Sequence, residues 1–139
     1  MRRADVYLRR GKVFAVGMKG TGGVFYEDSS PLVGDATSID SVVRVLQGAL
    51  EASVIPAELP TDLHRRRSAL PPLAGVKNDS SFNRGASLCI VRQHDDRIEL
   101  LRGEIVGGGA WRARLTQTLS RETSPVELAE ATLRVLQEE

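Results

Sequence analysis

The sequence is poor in the residue types on which catalysis, metal binding and base stacking most often depend. Its 139 residues include one cysteine and two histidines, and aromatic residues make up only 4% of the chain. A single cysteine, Cys89, excludes an internal disulfide and suits a reducing compartment. Because Cys89 lies in an apolar run, we expect a small buried side chain rather than a reactive thiol.

The two histidines and the glycine-rich segment also lack the partners that would make them functional motifs. His64 and His94 have no second histidine or cysteine at zinc-ligand spacing, so we expect both to be solvated and predict no metal and no cofactor. Residues 17–23 hold four glycines but not the Lys-Ser/Thr pair of a phosphate-binding loop, and we expect a loop or irregular strand there. No nucleophile motif is present, so the sequence favours a binding protein over an enzyme.

Neither a strong charge nor a long apolar run is present. Lys and Arg number 19 against 18 Asp and Glu, and such a balance gives no global field for nucleic acid or a membrane surface. No apolar run approaches the ~18 residues of a membrane span. The first residues are not followed by an apolar segment, so we expect no signal peptide. We therefore expect a cytoplasmic protein without a membrane partner.

The one basic run of interest is Arg65–Arg67, near the middle of the chain. It is the basis of an alternative function, a nucleic-acid-associated or regulatory binding protein. A solvated basic face of a short helix gives the same pattern. Few aromatic residues are available to stack on bases, and this disfavours nucleic acid as a partner.

What the sequence does contain is a set of short alternating segments separated by turn residues. Their length and the overall composition fit a single domain over residues 1–139. The connections are too short for parallel crossovers, so we expect antiparallel strands. Arg10 and Gly11 predict a tight turn, and His94–Asp96 predicts a polar hairpin turn. The predicted strands span residues 5–9, 12–16, 24–26, 86–92, 97–101 and 111–115.

Two amphipathic helices are predicted, and both contain the tetrapeptide Arg-Val-Leu-Gln. The first helix begins at Thr37 or Ser38, and the second at the capping box Ser124–Glu127, which has proline at the first helical position. The tetrapeptide occupies residues 44–47 and 134–137, and each copy follows a strand-rich segment. A ββ(β)α unit laid down twice would explain this order, and so would a shared preference for good helix formers.

The connector between the halves, residues 56–85, has no sustained hydrophobic period. Long structureless segments are rare inside compact domains, so we expect one or two short helices there, around residues 63–70 and 80–84. Together these elements predict an α+β fold, in which antiparallel strands form a sheet and helices pack on one face of it.

Acidic pairs lie at two predicted loop tips, and the single tryptophan lies near the second pair of strands. Such acidic pairs are ordinarily solvated turn formers, but on a protein whose partner is basic they would steer association. The tryptophan is either a core anchor or an interface residue. The candidate partner-binding residues are Glu27, Asp28, Asp95, Asp96 and Trp111.

The second half of the chain carries a resemblance to a known family. Leu73-Ala74-Gly75-Val76-Lys77 is followed by Phe82, then Gly85-Ala86, two strands, Trp111 and a final amphipathic helix. With the opening strands and first helix, this order resembles a family of small immunity proteins from bacterial contact-dependent growth inhibition systems.

The resemblance implies a non-catalytic inhibitor. Proteins of this family bind the toxic C-terminal domain that a neighbouring cell delivers, often a nuclease, and block its active site. The implied partner is a cognate toxin C-terminal domain in a 1:1 complex. The family has no catalytic residues to transfer, and its toxin-binding surfaces vary with the partner.

Overall fold

The fold is seen in a computed structural model, which describes residues 1–27, 30–106 and 110–138. It confirms the predicted α+β class with an antiparallel sheet. The strands are β1 (Arg2–Arg9), β2 (Lys12–Thr21), β3 (Val24–Glu27), β4 (Leu32–Asp35), β5 (Ser87–Gln93), β6 (Arg97–Val106) and β7 (Ala110–Ser120). The helices are α1 (Ile39–Ala52), α2 (Leu70–Leu73), α3 (Asp79–Arg84) and α4 (Pro125–Leu136), with a 3₁₀ turn at Leu63–Arg65.

The strands form one antiparallel sheet in the order β3-β2-β1-β5-β6-β7. β4 pairs with the first part of β2, and β3 pairs with the last part, so the two short strands share one edge. β1 and β5 pair in the middle and join the two halves of the chain. The predicted tight turn is confirmed, because Arg10 and Gly11 have φ of 51° and 75°, the left-handed conformation that two-residue hairpin turns require.

The glycine-rich segment differs from the loop or irregular strand that we expected. Gly17 and Gly20 lie within β2, and the turn into β3 is confined to Gly22 and Gly23. A Cβ atom on Gly17 would lie 2.2 Å from the backbone oxygen of Ala49. Glycine is therefore present at position 17 because α1 passes very close to β2, rather than to interrupt the strand.

The first face of the sheet is covered by the two long helices, as expected. Their predicted caps are confirmed, since the Ser38 and Ser124 hydroxyls accept hydrogen bonds from the backbone N–H of Ser41 and Glu127. The Val and Leu of both Arg-Val-Leu-Gln copies are buried in this core, and both arginines are exposed. Cys89 is fully buried here, and burial raises the pKa of its thiol to about 12.

The second face is partly covered by the connector. In place of the helix predicted around residues 63–70, the connector has a 3₁₀ turn at Leu63–Arg65 and then α2, whereas α3 matches the helix predicted around residues 80–84. Side chains alternate across a strand, so Val6 joins the first core while Tyr7 joins a second cluster on the opposite face. Leu70 of α2 and Phe82 of α3 pack into this second cluster. Asn78 caps α3 by accepting from the N–H of Ser81 at 2.9 Å. The connector thus becomes ordered by packing on the sheet.

Within the described ranges, none of the helices has the length and apolar character needed to cross a membrane.

Candidate functional site

A cavity of about 210 Å³ opens where the connector meets the second face of the sheet. We call it the connector cavity. The sheet contributes aromatic and acidic side chains, and the connector contributes polar and apolar ones. Its lining residues are Tyr7, Glu27, Ser68, Leu70, Asp79, Phe82, Asn83 and Trp111.

Aromatic rings in edge-to-face contact form one part of the cavity wall. The Tyr7 ring centroid lies 5.3 Å from that of Phe82 and 6.2 Å from that of Trp111. Phe82 also contacts Phe14, with centroids 5.5 Å apart. Since such pairs interlock and these rings are largely buried, this part of the wall is rigid.

Glu27, the last residue of β3, forms the acidic part of the wall together with Asp79. Its carboxylate oxygens lie 2.9 and 3.1 Å from the hydroxyl of Ser68, which in turn accepts from the N–H of Leu70. Burial raises the pKa of Glu27, and the hydrogen bonds from Ser68 and from the backbone of Ala69 only partly oppose this. The carboxylate is therefore held in place by neutral donors in a site that disfavours its charge.

The pKa of the Tyr7 hydroxyl is raised by burial and by nearby carboxylates. Burial is the main cause of its raised pKa, and the carboxylates of Asp5 and Glu27 raise it further. Tyr7 consequently remains a neutral phenol, able both to donate and to accept a hydrogen bond. Asp5 itself is bound by Arg3, with contacts of 2.8 and 3.2 Å.

The structure brings together two of the residues predicted from the sequence. Glu27 and Trp111 line the connector cavity. Asp95 and Asp96 lie elsewhere, exposed at the β5–β6 turn, where Asp96 binds Arg97 at 2.8 Å. Asp28 lies outside the described residues.

Six of the eight lining residues were not among the sequence candidates, and two of these, Tyr7 and Asp79, carry ionisable groups. Tyr7 had a usable signal, because the alternation of β1 places it on the face opposite Val6 and Leu8. Asp79 had none, since its position depends on how α3 packs against the sheet. Only the folded chain brings Asp79 close to Glu27.

The other polar groups singled out in the sequence are placed differently from the cavity residues. His64 is exposed, as expected, but His94 is half-buried and lies 2.5 Å from Glu99, so its expected solvation is wrong. In the basic run, Arg66 contacts Asp62 at 3.2 Å and lies over the ring of Tyr26.

Arg65 and Arg67 are exposed. Across residues 1–27, 30–106 and 110–138, no group of three or more His, Cys, Asp or Glu side chains is arranged to hold a metal ion.

Comparison with known proteins shows similarity in fold. No family model matches the chain, and no curated protein matches its sequence. A protein of unknown function from Neisseria meningitidis superposes with a TM-score of 0.75 at 18% identity, covering 98% of this chain and 93% of that protein. One chain of the CdiA-CT/CdiI toxin and immunity complex from Yersinia pseudotuberculosis superposes with a TM-score of 0.71 at 17% identity, covering 97% and 94%. The chain therefore has a fold that also occurs in a toxin and immunity complex.

Proposed function

We propose that this protein is an immunity protein that binds the C-terminal domain of a cognate toxin and neutralises it. It acts by binding alone, in a 1:1 complex that covers the toxin's active site, and the toxin is a nuclease. It meets the toxin in the cytoplasm of the cell that it protects.

The observation that carries the proposal is the likeness, over nearly the full length of both chains, to a chain of a toxin and immunity complex. That likeness covers 97% of this chain. The cavity supports the proposal further, because rigid aromatic side chains beside charged groups are common at the centres of protein interfaces. A nuclease binds nucleic acid through basic residues, and an acidic cavity complements such a surface.

The direct test is protection from the cognate toxin domain, which we expect to be encoded immediately upstream of this chain. The toxin domain is expressed from an inducible promoter in a sensitive bacterium, with and without this protein. We expect growth arrest without the protein and restored growth with it, and the two should co-purify in equal amounts.

Two results would overturn the proposal. Continued growth arrest in the presence of well-expressed, folded protein would exclude neutralisation of that toxin. Growth arrest caused by this chain alone would assign it the toxin's role instead. A toxin domain from an unrelated system serves as the specificity control, and we expect no protection against it.

A further inference from the structure

The connector cavity has the size and the lining to receive one side chain of another protein. Its volume of about 210 Å³ is below the ~300–1,000 Å³ of pockets that enclose small-molecule ligands. Aromatic rings and carboxylates share its wall. We propose that it binds an arginine side chain of the protein partner, with the guanidinium held by Glu27 and Asp79 against the aromatic wall. The partner is that of the proposed function, on which this inference rests.

The cavity carries negative charge without an internal cation. None of the described residues that line it is basic. The hydroxyl of Ser68 and the backbone N–H of Ala69 are neutral donors to Glu27, so they orient its charge without cancelling it. Asp79 is exposed at the start of α3. A cation between Glu27 and Asp79 would complete the charge balance of the cavity.

Basic side chains beside the cavity have contacts outside it. Arg3 is bound to Asp5 by two contacts of 2.8 and 3.2 Å, so this pair adds little net charge beside Tyr7. Arg66 and Arg67 line an adjoining cavity, which shares Glu27 and Ser68 with the connector cavity. Arg66 contacts Asp62 at 3.2 Å, and Arg67 is exposed. Of the described residues that line the connector cavity itself, the charged ones are Glu27 and Asp79, and both are acidic.

The hydroxyl of Tyr7 is an independent sign of a polar ligand. Tyr7 is only 8% exposed, and its hydroxyl forms no hydrogen bond with any residue in the ranges that the structure describes. A buried tyrosine O–H normally has a partner. Tyr7 lines the cavity. Among the described residues, its hydroxyl is not one of the fully enclosed atoms without a partner, so a ligand in the cavity can reach it and donate an N–H hydrogen bond to it.

The lining favours a guanidinium over an ammonium ion. A guanidinium is planar, presents a fork of N–H donors that matches carboxylates, and stacks on aromatic faces while keeping its charge. An ammonium ion is a compact, strongly hydrated charge and gains less from contact with aromatic rings. The combination of Glu27, Asp79 and aromatic rings thus selects arginine.

The test uses Trp111, the chain's only tryptophan, whose ring belongs to the cavity wall. Its fluorescence is followed during titration with N-acetyl-arginine amide at constant ionic strength. We expect a saturable change with a dissociation constant on the order of 1 mM, a reasonable value for so small a ligand. N-acetyl-citrulline amide, which is uncharged and nearly isosteric, should bind at least tenfold more weakly, and the lysine analogue several-fold more weakly.

Variants then assign the binding to the cavity. Glu27→Gln and Asp79→Asn should each weaken binding of the arginine derivative at least fivefold. Glu122→Gln removes an exposed carboxylate outside the cavity and should leave the affinity unchanged. Circular dichroism verifies that each variant is folded, and because Asp79 is exposed, its substitution provides the test if Glu27→Gln does not fold.

Three results would overturn the inference: no saturable change with the arginine derivative, equal binding of the citrulline derivative, or binding that survives both cavity substitutions. Equal binding of the lysine analogue would refute the selection of arginine. Failure here is distinguishable from failure of the proposed function, because the titration contains no toxin. If the protein binds the arginine derivative but gives no protection from the toxin, the cavity site is supported and the proposed immunity role is refuted.

Discussion

Replacing Phe82 with alanine should release the connector from the sheet. Phe82 is the buried residue of α3, only 1% exposed, and its ring lies 5.3 and 5.5 Å from those of Tyr7 and Phe14. Truncating a fully buried phenylalanine costs about 3–5 kcal/mol, a range that includes the lost ring contacts. Because small domains are stable by only about 5–15 kcal/mol, this is a large share of the total.

The loss can appear as local rather than global unfolding. α3 has six residues and one buried side chain, so its release exposes little surface compared with separation of the sheet from α1 and α4. The strands and long helices should therefore stay folded in Phe82→Ala after the connector has detached. Phe82→Leu keeps much of the apolar volume and should cost roughly 1–2 kcal/mol.

Urea unfolding followed by two signals separates these outcomes. Far-ultraviolet circular dichroism reports the sheet and the long helices, and Trp111 fluorescence reports the second cluster. In Phe82→Ala we expect the fluorescence transition to move to lower urea than the dichroism transition. Ser80→Ala, on an exposed position of the same helix, is the matched control. If Phe82→Ala changes both midpoints as little as this control does, the connector is not held by Phe82.

Three further substitutions test separate parts of the structure. Glu27→Gln should raise the midpoint of thermal unfolding at pH 7.5. The pKa of Glu27 in the folded protein is raised above its ordinary 4.5, so this residue's contribution to stability falls as the pH rises from 4.5 through the raised pKa. The stability advantage of glutamine should therefore vanish below pH 4.5. An advantage that stays constant with pH would contradict this. Gly17→Ala should lower the unfolding free energy by at least about 1–3 kcal/mol, because the added methyl group would lie 2.2 Å from the backbone oxygen of Ala49. An unchanged urea midpoint would show that α1 has room to shift away from β2. Arg9 is 7% exposed, and its Nε has no hydrogen-bond partner among the described residues. Arg9→Met should therefore leave the unfolding free energy unchanged or raise it by about 1 kcal/mol in the same urea assay. A loss of stability as large as that in Arg9→Ala would indicate a partner of the guanidinium.

The sequence predicted the elements whose pattern is local. The long helices followed from their apolar stripes and caps, and the first hairpin followed from Arg10 and Gly11. β6 and β7 were predicted too short, at residues 97–101 and 111–115. β7 lies at the sheet edge and exposes residues on both faces. The register between β6 and β7 also shifts between Leu100 and Leu101. Buried and exposed residues therefore do not alternate regularly in either strand.

The connector and the site could not be predicted in the same way. Leu70 and Phe82 are isolated apolar residues among prolines and polar residues, and their burial depends on a sheet built from distant parts of the chain. β4 was missed because it is four residues long and owes its place to pairing with β2. The acidic candidates were chosen as loop tips, whereas Glu27 is half-buried and Asp79 reaches it only through the packing of α3.

Calorimetric titration of the cognate toxin domain into this protein tests the central claim most directly. The account predicts a tight 1:1 complex for the wild-type protein, and affinity weakened at least about thirtyfold, or about 2 kcal/mol, in the Glu27→Gln, Asp79→Asn double variant. Glu122→Gln should bind like the wild-type protein. Equal affinity of the double variant and the wild-type protein would contradict the claim that the connector cavity receives the toxin.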